Sequence, residues 1–500
     1  MTSSIRLLVI ADIGGAEARH IGDEAMLEAN LDAFRRLIPQ VAFTVVSRDP
    51  AWTAARYGVD AVAPFGFRRD LSAGAEREAM LDQLMADAMT QAPSNVAMKA
   101  TLDATSDAVA RADGLVVSGG GNLSSTWPDL LYERLALLQL ARIFGKPAVV
   151  LGQTIGPRLG AEERRLLAEA LSSARFVGVR ELPSAALALE LSVPPERIWY
   201  QSDDALFLEA NAQSIPNPVP ISARRGAEAI AVTIDPQVRA AGEAVFGSLV
   251  SQLRELSETT GANLILIPHT FGNESAAVPS DLTEARLLAE GLGLSHTVVT
   301  AGLDADQAKQ LTSDAALVIS SRYHPIVFGL AAGIPSLGIY GDEYCRIKLQ
   351  GALAHARLER WTVTYDDVVR GRLLTKALQL WQARGEVRCE LESRREAWRE
   401  EYRERWVTVI RALDPATTCS SNGSATMFGR PVQEVAPALV SALEARRQWW
   451  QWERESCEKL AARCDEVQGR ARSLENETGV GKAIRRYASA VRSKLRRIGP

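Results

Sequence analysis

The feature that most constrains this chain is a regular alternation between short apolar runs and longer segments of helical periodicity. The apolar runs are rich in Val, Ile and Leu and lack the polar alternation of a half-exposed strand. They therefore predict strands buried on both faces of a parallel sheet. Alternation of strand and helix is typical of doubly wound α/β domains. Strands are predicted at residues 6–11, 42–47, 114–119, 148–152, 175–179, 198–201, 229–234, 263–268, 297–301, 315–320 and 336–340.

Prolines at every second position interrupt this alternation at Pro216, Pro218 and Pro220. Such spacing excludes a helix and favours an extended tether. We therefore expect a first Rossmann-like domain at residues 1–212, a Pro-rich linker at 213–227 and a second Rossmann-like domain at 228–365. Further along, we expect a helical segment at 366–413, a flexible loop at 414–432 and a helical or coiled-coil tail at 433–500.

Charge and cysteine content exclude several classes of protein. The formal net charge is −4, so no nucleic acid is expected as a partner. The five cysteines are scattered and form no Cys-x-x-Cys pair, which argues against a disulfide framework and a structural zinc site. No apolar run approaches the roughly 20 residues needed to span a membrane, and the first residues lack a signal-peptide pattern. We expect a cytoplasmic protein.

The end of the chain has a pattern of its own. Residues 481–500 contain Lys and Arg but no acidic residue, and their apolar residues recur every three or four positions. This is typical of a basic amphipathic helix, which can lie on an anionic membrane surface such as the inner face of the cell membrane. A solvated basic tail and a contact between copies of a homo-oligomer are the plainer alternatives, and all three stay open.

An anion-binding site is predicted where the strand at 315–320 gives way to a helix. Arg322 and His324 follow this strand, and residues two apart in an extended backbone point to the same side. Pro325 suits the first turn of a helix, whose free amides attract a phosphate or a carboxylate. Lys348 follows the next strand and can reach the same anion. The sequence therefore predicts a site for an anionic small molecule at this junction.

Three further side chains at strand ends are candidates for the same cleft, and each has a plainer explanation. Arg180 can add a second positive charge, or it can form a salt bridge with Glu181. His269 can contact a ligand, or it can simply be solvated. Asp23 can cap the first helix, or it can accept a hydrogen bond from a sugar hydroxyl or act as a base.

A glycine run, Gly119-Gly120-Gly121-Asn122, follows the strand predicted at 114–119. Glycines let backbone amides approach a ligand closely, although a plain strand-to-helix turn would use the same residues. A dinucleotide fingerprint requires a third spaced glycine where Ser124 and Ser125 stand, so NAD is not expected. The sequence contains no zinc-type cluster, Walker loop or Gly-x-Ser-x-Gly elbow, so neither a metal nor a cofactor is expected.

Together these motifs resemble the polysaccharide pyruvyl transferase family over residues 5–353. The number, order and spacing of the matching segments carry the resemblance, because each segment alone is loose. In chain order the segments are Gly22-Asp23-Glu24-Ala25, Gly119-Gly120-Gly121-Asn122, Gly145-Lys146-Pro147, Gly152-Gln153-Thr154-Ile155-Gly156-Pro157, Val179-Arg180-Glu181, Asp203-Asp204-Ala205-Leu206-Phe207-Leu208, Arg322-Tyr323-His324 and Ala331-Ala332-Gly333-Ile334-Pro335.

The resemblance implies two Rossmann-like domains in a GT-B-like arrangement, with the acceptor on the side of the first domain and the donor on the side of the second. It implies phosphoenolpyruvate as the donor co-substrate and a sugar diol of a glycan or lipid-linked sugar as the acceptor. The products would be a pyruvate ketal and phosphate. Members bind the donor through an Arg-x-His motif, which corresponds here to Arg322 and His324. Members often carry a lysine in a Tyr-x-x-Lys-like context after the last strand, and Lys348 departs from that spacing.

The residues fit this chemistry independently. Phosphoenolpyruvate carries a phosphate and a carboxylate, which Arg322, Arg180 and a helix N-terminus can bind. Ketal formation protonates the enol methylene, and a histidine of near-neutral pKa is suited to that step. We therefore expect His324 to be the acid and Asp23 to activate or orient the acceptor hydroxyl.

Two alternatives stay open on sequence alone. One is a GT-B-type glycosyltransferase that uses a nucleotide sugar, with Arg322 on the phosphates. The other is an inert scaffold whose helical C-terminal region recruits partners at a membrane. The presence of both Arg322 and His324 beside a glycine run weighs against the scaffold.

Overall fold

The computed structural model describes residues 5–70, 73–90, 96–209, 228–272, 280–293, 297–300 and 302–414. The linker predicted at 213–227 and the tail predicted at 433–500, including its basic end, lie outside the described residues. The same holds for nearly all of the loop predicted at 414–432. No helix among the described residues is both long and apolar enough to cross a membrane.

The first half of the chain builds a parallel sheet covered by helices. The strands of this sheet are β1 Ile5–Ile10, β3 Val41–Val46, β4 Asp60–Val62, β5 Gly114–Val117, β6 Gly120–Leu123, β7 Ala148–Ile155, β8 Phe176–Val179 and β9 Ile198–Tyr200. A further short strand in this half of the chain is β2 Ala18–His20. Its helices are α1 Ile21–Leu37, α2 Pro50–Tyr57, α3 Gly74–Thr90, α4 Val96–Arg111, α5 Pro128–Ile143, α6 Ala161–Ser173 and α7 Leu182–Glu190. The strand order is β4-β3-β1-β5-β7-β8-β9, and β6 pairs with β7.

The second half builds a second parallel sheet of six strands. The six strands of this sheet are β10 Ala229–Thr233, β11 Asn263–Leu266, β13 Thr297–Val299, β14 Leu317–Ser320, β15 Ser336–Tyr340 and β16 Thr362–Thr364. A further short strand in this half of the chain is β12 Thr270–Gly272. Its helices are α8 Pro236–Ala240, α9 Glu243–Thr260, α10 Asp281–Leu292, α11 Ala305–Ser313, α12 Tyr323–Ala332, α13 Glu343–Ala354 and α14 Tyr365–Val369. The strand order is β13-β11-β10-β14-β15-β16, while β12 pairs with β2 outside this sheet.

Burial on both faces explains why the apolar runs form strands. Every residue of β5, β7 and β8 is buried in the first sheet, and every residue of β11 and β14 is buried in the second. These strands lie in the interior of their sheets, where helices cover both faces. Each predicted strand corresponds to an observed one, and the prediction of two Rossmann-like domains is confirmed.

Several short strands are missing from the prediction. For the glycine run the sequence predicts either a ligand-binding loop or a strand-to-helix turn, but Gly120–Leu123 is the strand β6, which pairs with the end of β7. The three-residue strands β2 and β12 form an antiparallel pair that joins the two domains, with His20 opposite Thr270. Strands this short carry no apolar pattern, because pairing with a distant segment rather than local sequence fixes them.

A long helix ties the two domains together from outside. After α15 Arg372–Gln382, helix α16 Arg384–Leu413 packs Leu391 and Trp398 into the core of the second domain. Its far end packs Trp406 and Ile410 against the first sheet. Between these contacts Arg405 is buried and forms an ion pair of 2.8 Å with Asp204.

We expect the substitution Arg405→Ala to lower the free energy of unfolding by about 3 kcal/mol, because it leaves the Asp204 carboxylate buried without its cationic partner. Arg403→Ala on the same helix is the matched control. The side chain of Arg403 is 59% exposed in its pair with Glu400, so its loss should cost about 0.5 kcal/mol or less. Denaturant unfolding measures both, and equal values for the two variants would contradict the role given to Arg405.

Candidate active site

A pocket of about 320 Å³ lies between the carboxyl ends of the two sheets. Asp12 reaches it from just beyond β1, Asp235 from just beyond β10 and Ser321 from just beyond β14. Ligands of open parallel sheets bind at this edge. We refer to this space as the main pocket.

Arg322 and His324 both line the main pocket, although the geometry differs from the expected one. Arg322 is the last extended residue before α12, and His324 already lies in the helix. The guanidinium of Arg322 is anchored by Asp281, which lies 2.6 Å from Nη2, and the Arg322 side chain stays 27% exposed. Arg322 therefore presents a fixed positive charge at the first turn of α12.

His324 is held against the start of α1. Its Nδ1 packs on Gly22, where an added Cβ would lie only 1.7 Å away. Its Nε2 lies 3.8 Å from Oδ1 of Asp203, which is too long for a hydrogen bond. Burial, together with the positive charge of Arg180, holds the pKa of His324 well below its usual range. The near-neutral pKa expected for His324 is therefore wrong, and its imidazole ring is neutral at pH 7.

Asp23 lines the main pocket and forms a pair with His20 that the sequence analysis missed. Nδ1 of His20, at the end of β2, lies 2.8 Å from Oδ2 of Asp23. Burial raises the pKa of Asp23, but His20 outweighs burial and the net pKa is lowered. Burial lowers the pKa of His20, but Asp23 outweighs it and the net pKa is raised. Their spacing of three residues at the start of a helix is the sequence signal that could have predicted this pair.

Lys348 reaches the main pocket from α13. Its Nζ lies 5.4 Å from the ring centroid of Tyr323 and 4.9 Å from that of Tyr344. Lys348 forms no ion pair with any carboxylate of the described residues. It therefore adds a positive charge that no neighbouring carboxylate neutralises directly.

Arg180 lines the main pocket but is committed to protein partners. Its side chain is 1% exposed and forms ion pairs of 2.6 Å with Asp203 and 3.1 Å with Glu181. The ring of Tyr323 lies over the guanidinium at 4.2 Å. The salt bridge foreseen as the plainer explanation is present, so Arg180 organises the wall of the pocket.

His269 also lines the main pocket and is buried rather than solvated. Neither ring nitrogen has a hydrogen-bond partner among the described residues. Burial lowers the pKa of His269 to about 3, so the ring is neutral and can donate a hydrogen bond from one nitrogen and accept one at the other.

The glycine run contributes less to the pocket than expected. Gly121 and Asn122 line it, whereas Gly119 packs against Met26 and Gly120 against the side chain of Asn122. An added Cβ on Gly121 would lie 2.2 Å from the hydroxyl of Tyr344. That hydroxyl donates a hydrogen bond of 3.0 Å to the Gly121 carbonyl. The glycine is therefore required for close contact between the domains.

The main pocket contains cationic groups that can attract an anion. No group of three or more His, Cys, Asp or Glu side chains in the described part of the chain is placed to hold a metal. Arg322, Lys348 and the first turn of α12 line this pocket, and positive charge of this kind attracts phosphates and carboxylates.

We expect Gly22→Ala to displace the His324 ring, because the new methyl group would overlap Nδ1. Overpacking of this kind costs about 1–3 kcal/mol of unfolding free energy, and a ring pushed towards solvent should titrate at higher pH in NMR spectra. Gly385→Ala, in an open position on α16, is the control and should not destabilise the protein. An unchanged His324 titration in Gly22→Ala would refute the contact.

Comparison with solved structures shows the fold. A protein described as a UDP-N-acetylglucosamine 2-epimerase from Listeria monocytogenes has a TM-score of 0.50 and 11% identity, covering 78% of this chain and 91% of its own. UDP-GlcNAc 2-epimerase from Neisseria meningitidis, solved with UDP-GlcNAc, has a TM-score of 0.50 and 10% identity, covering 77% and 94%. These similarities confirm the GT-B-like arrangement of the two domains.

Comparison of sequences shows the family. No curated protein matches the chain in sequence. A model of the polysaccharide pyruvyl transferase family matches residues 20–343, a span that contains every residue assigned above to the main pocket except Asp12 and Lys348. Because this match spans more than half of the chain, the protein belongs to the polysaccharide pyruvyl transferase family and is a transferase.

Proposed function

We propose that this enzyme transfers the enolpyruvyl group of phosphoenolpyruvate to a sugar diol of a glycan or glycolipid, forming a pyruvate ketal and releasing phosphate. The observation that carries the proposal is the convergence of Lys348, Arg322 and the start of α12 on one pocket. Phosphoenolpyruvate requires such a site, because its phosphate and carboxylate are joined to one small carbon skeleton.

The two anionic groups of the donor match the two kinds of cation. Lys348 is a compact charge without a carboxylate partner in the described residues, which suits a phosphate. Arg322 is held in place by Asp281 beside the free amides of α12, and a fixed guanidinium with nearby amides suits a carboxylate. The protein needs no bound cofactor for this reaction.

The chemistry moves two hydroxyl protons. One acceptor oxygen bonds to C2 of the donor while the methylene carbon gains a proton and becomes a methyl group. The second oxygen then bonds to the same carbon as the C2–O bond to phosphate breaks. The two hydroxyl protons balance the proton on the methyl group and the proton on the departing hydrogen phosphate.

His324 supplies the proton for the methylene carbon. It is neutral in the pocket without ligand because burial lowers its pKa. A multiply charged anion in the same pocket favours the protonated imidazole and raises that pKa. Donor binding therefore charges the acid in place, while the carboxylate of Asp23, paired with His20, orients the acceptor hydroxyl.

We expect purified enzyme to release phosphate from phosphoenolpyruvate in the presence of a suitable glycoside, and His324→Asn to reduce turnover by roughly 10²- to 10⁴-fold. Thermal unfolding of both proteins shows whether the variant is folded. Phosphate release that is unchanged in the variant would remove His324 from the mechanism. Release of nucleotide diphosphate from a nucleotide sugar, without release of phosphate from phosphoenolpyruvate, would replace the proposed donor.

Binding of phosphoenolpyruvate should take up protons from solution at pH 7. The pKa of His324 lies below 6.5 before binding, and the bound anion moves it upward, so the protein binds about one more proton in the complex. Calorimetric titrations in buffers of different ionisation enthalpy measure this uptake. His324→Asn should show about one proton less than the wild type, and equal uptake in both would mean that another group titrates.

A further inference from the structure

A second cavity of about 180 Å³ opens beside the main pocket, within the first domain. The two cavities share Asp12, Arg48, Asp129 and Leu130 as a common wall. We call the second cavity the side pocket. Its position on the first domain, next to the proposed donor site, makes it a candidate for the second substrate.

Arg134, on α5, lines the side pocket, and part of its guanidinium group has no hydrogen-bond partner among the described residues. Its side chain is buried, with 1% exposed, and Nη1 donates to the carbonyl of Leu130 at 3.0 Å. Nε and Nη2 have no hydrogen-bond partner among the described residues. These two nitrogens form one edge of the guanidinium, which can donate two parallel hydrogen bonds to neighbouring oxygens. A ligand that supplies two adjacent oxygens would satisfy these buried donors.

The carboxylate of Glu133, the preceding residue, does not accept hydrogen bonds from Nε or Nη2 of Arg134. It accepts hydrogen bonds from the backbone amides of Phe65, Gly66 and Phe67, at 2.9, 2.7 and 3.1 Å. These bonds fix the loop that closes one side of the pocket. Arg134 therefore keeps its free edge although an acidic residue stands next to it in sequence.

The acceptors in the side pocket lie on the wall that it shares with the main pocket. Oδ1 of Asp12 lies 3.1 Å from Nη2 of Arg48, and Oδ2 of Asp129 lies 3.9 Å from the same nitrogen. Burial, with the nearby charge of Asp23, raises the pKa of Asp12. A carboxylate in this position favours a hydrogen-bond donor from the ligand.

The balance of charges decides between a neutral and an anionic ligand. The side pocket is lined by the carboxylates of Asp12, Asp129 and Glu133 and by the guanidinium groups of Arg48 and Arg134. An anion could pair with Arg134 but would face three carboxylates. A hydroxyl group can accept from Arg134 and also donate to Asp12. A neutral polyhydroxy ligand therefore fits both partners.

We propose that the side pocket binds the acceptor as a neutral sugar ring, with Arg134 donating to two adjacent hydroxyl oxygens and Asp12 accepting a hydrogen bond from the hydroxyl nearest the main pocket. The inference rests on the proposed function for the identity of the reaction, and it adds the location and charge class of the acceptor. The reacting diol then lies at Asp12, beside the space assigned to the donor.

Equilibrium binding of methyl glycosides of galactose, mannose and glucose, measured by calorimetry without the donor, tests this site. For whichever glycoside binds, we expect Arg134→Met to weaken affinity at least tenfold while affinity for phosphoenolpyruvate changes less than twofold. Lys348→Met should show the opposite selectivity. Arg142→Met, on the same helix and in an exposed pair with Glu169, is the matched control and should alter neither.

Asp12→Asn gives a second route if Arg134→Met fails to fold, and it should also weaken glycoside binding selectively. Glycoside affinity that is unchanged in both variants would overturn the proposal, as would a wild-type protein that binds none of the three glycosides. Tighter binding of a methyl galacturonide than of the neutral galactoside would contradict the inference that the acceptor is neutral. If phosphoenolpyruvate yields no phosphate but Arg134→Met still loses glycoside binding selectively, the proposed reaction fails and the sugar site stands.

Discussion

The arrangement of the main pocket depends on one buried guanidinium. Arg180 lies between the carboxylates of Asp203 and Glu181, and all three side chains are 1% exposed or less. Charged groups removed from water to this extent are tolerated only when they are paired and hydrogen-bonded. The ring of Tyr323, from the second domain, covers the same guanidinium. The first domain thereby fixes the start of α12, and the start of α12 fixes Arg322 and His324.

The parts of the molecule that could be predicted from sequence are those fixed by neighbouring residues in the chain. Runs such as Ala148–Ile155 are buried along their whole length, so composition alone identifies them as interior strands. The position of Arg322 and His324 could also be predicted, because neighbouring residues in the sequence are enough to locate the end of a strand and the start of a helix. The two residues line one pocket, as the sequence suggested, although a helix rather than an extended segment carries His324.

The unpredicted features all depend on contacts between distant segments. His20 was passed over because its importance comes from β2 pairing with β12 and from its contact with Asp23. Sequence alone gives the glycine run a role at a ligand or in a turn, whereas the structure shows that Gly121 has no side chain where Tyr344 of the other domain approaches. Burial of His324 lowers its pKa, and burial is a property of the folded chain. Arg134 belongs to no motif in the sequence analysis, and only the fold places it at a cavity.

Helix α16 ends on the side of the first domain that faces away from the main pocket. The carbonyl of Ala412 accepts a hydrogen bond from Arg175, just before β8, and Leu413 packs beside Gly114 at the start of β5. Both contacts are at the amino ends of first-sheet strands, whereas the pocket opens at the carboxyl ends. The end of α16 therefore lies on the face of the first domain opposite to the main pocket. A label attached to Arg411, an exposed residue in the last turn of α16, would leave the entrance to the cleft unobstructed.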